Sequence, residues 1–396
     1  MSELNQLLKR DSEDFQSYHI RLFENKDEYQ IDSHEIATLL NKEYGSNYDE
    51  SKWRKDFAQY CKWKDYLVNK NLDEEIVQKH EEIRIESEKE RIRKNDQNRE
   101  LRKKIANSAR FEKLQEDIVK AILKLEKKKK LKFSPTIGKS VENRHGLALF
   151  SDWHFGMDVN NSLNVFNKQI FNERVEKLVD SIIDYGKKNE ISTLHIGQLG
   201  DLVSGVIHVS TRVQSNEDII EQIKYVSETL AEVVGKLANI FPSIKYHNVI
   251  GNHGRTGHKN DVGVKENFEY LIPWFLEARL KDFDNIEFVT DKDGYIVSKI
   301  LNEDVVYVHG NFDRVDRCVT TLPQILGFVP SYIFGGHIHH HYEKEHGKTT
   351  VVVNGSLIGS DDHSTTGRYG GKPSQKFMVF TEEGLECTYI IKFKTK

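Results

Sequence analysis

Apolar positions in the last two thirds of the chain follow two rhythms. Continuous short runs at 146–150, 193–196 and 246–250 alternate with stretches near 168–187, 216–239 and 264–281, where apolar residues recur every three or four positions. Short apolar runs bounded by turn residues read as buried strands, and the three-to-four spacing reads as amphipathic helix. Further strands are expected near 286–290, 295–300 and 304–308, a helix near 313–326, and strands near 332–335, 349–353, 376–381 and 387–393. Strand–helix alternation followed by a strand-rich end predicts a layered α/β domain over residues 134–396, with β-sheets flanked by helices.

Upstream the texture differs. Residues 1–71 mix aromatics with charge and predict a short helical pair. Asp32-x-x-Glu35 signals a helix start ahead of Ile36, Leu39 and Leu40, and Gly45 with Asn47 marks a break. From Ser51 to Tyr66, Trp53, Phe57, Tyr60 and Trp63 share a helical face. This arrangement is helix-turn-helix-like, and Lys52, Arg54 and Lys55 are its candidate nucleic-acid contacts; a small helical cap with aromatic core is the alternative. Residues 72–133 contain no Pro or Gly and read as one or two long helices, with a linker or coiled coil through which two copies could pair. An all-α N-terminal extension therefore precedes the α/β domain.

Charge sharpens the contrast between these regions. The net charge is −4, yet residues 91–132 carry 16 Lys+Arg against 6 Asp+Glu, ending in the run Lys127, Lys128, Lys129 and Lys130. Such a segment is either a solvated helix or an electrostatic contact to a nucleic-acid backbone. The three cysteines, Cys61, Cys318 and Cys387, form no Cys-x-x-Cys pair, which argues against a disulfide framework or a thiolate zinc site. The opening MSELNQLLKR lacks a signal-peptide core, and no apolar run approaches the roughly 18 residues of a spanning helix. A cytoplasmic protein without a membrane partner is expected.

Within 134–396, polar clusters fall just after predicted strands: Asp152-Trp153-His154, Gly200-Asp201, Gly251-Asn252-His253, His309-Gly310 and Gly336-His337-Ile338-His339. Open α/β sheets place ligands at that end of their strands. Asp152, His154, Asp201, Asn252, His309, His337 and His339 supply carboxylate, amide and imidazole donors, suited to manganese, iron or zinc rather than to calcium or magnesium alone. On an extended stretch Asp152 and His154, and likewise His337 and His339, would point to one side. Seven donors exceed one tetrahedral ion and suit two ions sharing a carboxylate, whose natural reaction is displacement at phosphorus by a bridging hydroxide.

The ordered set D-x-H, GD, GNH, H and GHxH resembles the calcineurin-like metallophosphoesterases over roughly residues 146–357. The resemblance implies that Asp152, His154 and His339 bind a first ion, that Asn252, His309 and His337 bind a second, and that Asp201 bridges them. From the donor types manganese is the expected metal, with iron, zinc or magnesium as alternatives. His253 would be the general acid over the substrate, and the turn Asn354-Gly355-Ser356 also matches. Arg255 and His258, just beyond the GNH loop, are candidate substrate contacts. The family usually has Asp or Glu after GNH, whereas this chain has Gly254. Another carboxylate, with Asp261 the candidate, would have to orient His253, or the histidine is held less tightly. GDLVSG and GNHG depart from the protein-phosphatase signature, and only about 40 residues follow Ser356, too few for a repair-exonuclease cap. With its basic N-terminal arm the chain also resembles phage-type phosphoesterases. The expectation is a DNA- or RNA-processing nuclease. A small-molecule phosphodiesterase acting on cyclic or dinucleotide substrates, and a nucleic-acid-binding protein with a vestigial metal site, are the alternatives.

Overall fold

The structure is a computed structural model that describes residues 7–71, 74–125, 130–135, 143–207, 214–257, 259–314, 317–368 and 370–395. The chain divides into two compact units, Met1–Arg110 and Phe111–Lys396.

The first unit opens with three helices: α1 (Phe15–Glu24), α2 (Ser33–Tyr44) and α3 (Glu50–Asn71). Asp32 and Glu35 form a reciprocal capping box at the start of α2, and Gly45 ends it in the left-handed conformation. Tyr18, Leu22, Ile36, Leu40 and Trp53 are the buried centre, with Phe57 packed against it. The expected pair of helices is thus a trio. The predicted aromatic face does not stay buried along α3: Trp53 is 4% exposed and Trp63 is 56% exposed. Helix α4 (Glu74–Leu125) is one uninterrupted element. Among the described residues, no helix is long and apolar enough to cross a membrane.

The second unit is a mixed α/β structure whose sheets are flanked by helices. Its chain order starts with β1 (His145–Phe150), the short hairpin β2 (Val159–Asn160) and β3 (Val165–Phe166), α5 (Lys168–Lys188), β4 (Thr193–Leu199), α6 (Ile219–Ala238) and β5 (Ser243–Val249). It continues with a 3-10 turn (Phe268–Tyr270), α7 (Leu271–Arg279), β6 (Ile286–Thr290), β7 (Tyr295–Ile300), β8 (Glu303–Val308), α8 (Cys318–Leu326) and β9 (Tyr332–Gly335). It closes with β10 (Tyr342–His346), β11 (Thr349–Val353), α9 (Asp362–Gly367), β12 (Ser374–Thr381) and β13 (Gly384–Lys392).

Two sheets stack. The first has the order β13-β12-β1-β4-β5-β6, with β1, β4, β5 and β6 parallel and the other two antiparallel. The second has the order β10-β11-β9-β8-β7. Leu147, Leu149, Leu199, Val249, Tyr307 and Phe334 fill the layer between them. Helices α5, α6 and α7 bury the other face of the first sheet, and Cys318 and Leu322 of α8 bury the outer face of the second. The parallel strands are buried on both sides, which is why they read as unbroken apolar runs rather than alternating ones.

Two expected helices are shorter than predicted. The stretch 264–281 is loop as far as Asn267, whose side chain caps the 3-10 turn, and only Leu271–Arg279 is α-helical. The stretch near 313–326 is helical from Cys318 onward.

A row of histidines crosses the layer between the sheets. His145 Nδ1 lies 3.0 Å from His195 Nε2, and His195 Nδ1 lies 3.4 Å from His247 Nε2, with the His247 ring stacked on Tyr307 at 4.7 Å. Burial drives the His195 imidazole down to about 2 and that of His247 down to about 3. The unfolded chain protonates such rings below about 6.5, while the folded chain keeps them neutral, so stability is complete above that value and falls with acidification. At pH 5 each ring costs about 2 kcal/mol. Urea unfolding in chelator at pH 7.5 and pH 5.0 should therefore show wild type losing about 4 kcal/mol more than a His195→Leu/His247→Phe double variant. An equal loss in the two proteins rejects this account.

Candidate metal centre

Every expected donor lies in the turn directly after a strand of the second unit. Asp152 and His154 follow β1, Asp201 follows β4, Asn252 follows β5, His309 follows β8, and His337 and His339 follow β9. The turns that hold them are unlike the extended stretches expected for the D-x-H and H-x-H pairs. Asp152 (φ 53°), His154 (φ 47°), Asp201 (φ 54°), His337 (φ 72°) and His339 (φ 61°) all adopt the left-handed conformation. The side chains converge because the backbone curls at each residue, at a cost of about 1–2 kcal/mol apiece. Gly200 (φ 82°) makes such a turn without that cost, and a Cβ on it would sit 2.3 Å from the Gly251 nitrogen. The GD and GNH turns can therefore lie against each other.

The donors form two groups. In the first, His154 Nε2 is 3.0 Å from His339 Nε2, and Asp152 Oδ1 is 3.5 Å from His339 Nε2 and 3.9 Å from His154 Nε2. In the second, His309 Nε2 is 3.1 Å from Asp201 Oδ2, 3.1 Å from Asn252 Oδ1 and 3.2 Å from His337 Nδ1. Ligand bonds of about 2.1 Å give polyhedron edges of about 3.0 Å when octahedral and about 3.4 Å when tetrahedral. These spacings therefore fit divalent cations. Asp201 also lies within 4.8 Å of His154 and His253, which makes it the carboxylate common to both halves.

Hydrogen bonds fix which atoms face inward. Because carbonyls only accept, His309 Nδ1 donates to Leu199 O (2.6 Å) and leaves Nε2 for a cation, the usual arrangement for a ligating histidine. The Asp152 carboxylate accepts from the His337 backbone nitrogen at 3.1 and 3.0 Å. Burial alone would push the Asp201 carboxyl up, but His309 and His253 hold it well below the usual range. His309 is raised to about 9 against its own burial, because Asp201 and Asp152 favour its protonated form. A cation arriving there would displace that proton.

His253 sits at the mouth of the centre, its side chain 16% exposed. Its Nδ1 donates to Ser204 O (2.8 Å) and its backbone nitrogen to Asp201 Oδ1 (2.8 Å), leaving Nε2 4.0 Å from Asp201 Oδ2. The expectation that Asp261 orients this ring is corrected: Asp261 is exposed, and the Ser204 carbonyl does the work. Arg255 Nε donates to Asn252 O (2.9 Å), so Arg255 belongs to the same turn, whereas His258 lies outside the described residues. Asn354 donates to Leu149 O (3.1 Å) and to Ser151 Oγ (3.0 Å), bracing the end of β1.

One buried carboxylate escapes motif reading. Glu269 lies behind the GD and GNH turns, completely buried, and accepts from backbone nitrogens of both. Burial and the nearby Asp201 push its carboxyl up to about 7. The signal in the sequence was a lone charge inside the apolar run Phe268-Glu269-Tyr270-Leu271-Ile272.

The nucleic-acid candidates have partners or surroundings of their own. On α3, Lys52 pairs with Asp56, and Arg54 lies 3.8 Å from Glu50. Lys55 is exposed. Lys130 lies 3.9 Å from Asp282, and Lys127, Lys128 and Lys129 lie outside the described residues.

Fold and site together define an α/β protein carrying a histidine–aspartate cluster fit for divalent metal. In comparisons with known proteins, residues 3–72 match the YonJ N-terminal domain family. The whole chain is similar to the SPbeta prophage-derived uncharacterized protein YonJ of Bacillus subtilis (strain 168), at 26% identity over 391 residues and 95% of each chain. Among solved structures, it is similar to a novel archaeal phosphodiesterase (13% identity, TM-score 0.33, covering 62% of this chain and 99% of that one). It is also similar to Yfce, a phosphoesterase from E. coli (14% identity, TM-score 0.30, covering 62% and 100%).

Proposed function

We propose that this chain is a two-metal-ion phosphoesterase of the calcineurin-like type that acts on nucleic acid. The observation that carries the reading is the pair of donor groups meeting at Asp201. Asp152, His154 and His339 would hold one ion and Asn252, His309 and His337 the other, with Asp201 shared. Oxygen and imidazole donors without thiolates favour manganese, with iron, zinc or magnesium as alternatives. When bound, such ions lower the pKa of water and neutralise charge on phosphate oxygens.

The chain's own residues supply the rest. With its Nδ1 proton committed to Ser204 O, His253 presents Nε2 toward the mouth, where it can give a proton to the departing oxygen. Arg255, fixed to the Asn252 turn through its Nε, would meet a substrate phosphate. The basic residues 91–132 and the lysines of α3 would hold the nucleic-acid backbone, and the prophage origin of the similar protein fits that setting. A homodimer through residues 72–133 is compatible with this arrangement.

Purified protein with manganese, offered single- and double-stranded DNA and RNA beside bis(p-nitrophenyl) phosphate, tests the proposal. Cleavage of nucleic acid that chelator abolishes and salt weakens is expected. Turnover of the small diester alone, retained after deletion of residues 1–133, would replace the nuclease with a small-molecule phosphodiesterase. No turnover and no bound metal would leave a binding protein.

A further inference from the structure

We propose that Glu269 is a positioning residue of the metal centre, a single carboxylate that locks the Asp201 turn to the Asn252 turn; the proposal rests on the metal-centre reading above. Its Oε1 accepts from Leu202 N (2.6 Å) and Val203 N (3.4 Å), and its Oε2 from Gly251 N (2.7 Å) and Asp201 N (3.2 Å). A carboxylate offers about four acceptor sites, and here four backbone N–H groups from two separate turns fill them. Those turns carry Asp201 and Asn252, so one side chain sets the spacing between the shared carboxylate and a donor of the second group.

Glu269 is itself held from outside the motifs. Asn267 Oδ1 accepts from Glu269 N (2.9 Å), while Asn267 Nδ2 donates to Gly251 O (2.8 Å). Phe268 N donates to Gly254 O (2.7 Å) and Thr256 N to Glu266 O (3.0 Å), so the 266–269 segment is laid along residues 254–256. This accounts for Gly254. A Cβ at that position would come within 2.2 Å of Asn267 Oδ1 and 2.8 Å of Glu269 Cγ. A side chain at 254 and the Asn267–Glu269 brace exclude each other. The chain has glycine beside His253 and carries an acid fifteen residues downstream that reaches the same turns from behind.

Glu269→Gln keeps the shape but turns an NH₂ group toward backbone N–H donors that need an acceptor. Loss of such an outer partner costs about 10–100-fold in metal affinity. Manganese titration calorimetry on the full chain should show that weakening for Glu269→Gln, with turnover returning toward wild type as manganese is raised. A role in folding alone would lower the folded fraction by circular dichroism without recovery by metal. A folded Glu269→Gln that binds manganese as tightly as wild type overturns the proposal. If that variant does not fold, Glu269→Asp, which withdraws the carboxylate by one methylene, must show the same direction of change, and unchanged affinity overturns the proposal equally. Wild type that binds no manganese removes the metal-centre reading itself, which separates the two failures.

Discussion

Asp201→Ala should leave a folded protein that retains neither ion and has lost turnover by on the order of 10³-fold or more, the equivalent of roughly 4 kcal/mol of charge stabilisation. The carboxylate stands at 3.1 Å from His309 Nε2, accepts from the His253 nitrogen, and lies within 4.8 Å of His154 as well as of His309 and His337. Removing it deprives both donor groups of a ligand and leaves the His309 imidazole buried without its counter-charge. Elemental analysis after dialysis reads the result directly. An Asp201→Ala protein that kept two ions would show that the groups do not share this residue. Asp152→Ala, by contrast, removes a donor from the first group alone, although the His337 N–H loses its acceptor, and should leave one ion in place.

His253→Ala should separate chemistry from metal binding. Its ring donates to Ser204 O and its Nε2 stands 4.0 Å from Asp201 Oδ2; without it each group keeps its three other donors and Asp201, so both ions should remain. Loss of a general acid costs about 10²–10⁴-fold in kcat. The loss should depend on the leaving group. The oxygen departing from DNA or RNA needs a proton, whereas p-nitrophenolate leaves readily without one. A fall of that size on nucleic acid with a much smaller fall on bis(p-nitrophenyl) phosphate is expected. Equal losses on both substrates would make His253 a binding residue rather than an acid.

The layered α/β architecture and the order of the donors were legible because they depend on periodicity and spacing, which a linear chain displays. Strands Ile286–Thr290, Tyr295–Ile300, Tyr332–Gly335 and Thr349–Val353 coincide with the apolar runs that predicted them. The candidate donors stood out because strand ends and polar clusters coincide. What the chain did not display was backbone conformation and long-range bracing. Nothing in Asp152-Trp153-His154 announces a left-handed turn at both ends, since the alternating pattern also suits an extended strand. The orientation of His253 depends on a main-chain carbonyl, which every residue possesses, so no residue type could mark Ser204 for that part. Glu269 lies far from the motifs it serves, in a stretch whose apolar spacing resembled an ordinary amphipathic helix. The first helix, Phe15–Glu24, was hidden for a similar reason: its buried residues Tyr18, Leu22 and Phe23 are spread among polar ones.

The left-handed turns also bear on what this chain can become. Five of the seven donors occupy a conformation that glycine adopts at no cost. Replacing one with glycine removes a ligand and relieves the backbone in the same step. At these turns the native side chain is therefore not the least strained choice: glycine would trade a candidate ligand for about 1–2 kcal/mol of backbone relief, less the extra chain entropy that glycine loses on folding. Aspartate and histidine at these five positions are accounted for by what their side chains do, not by how their backbone rests.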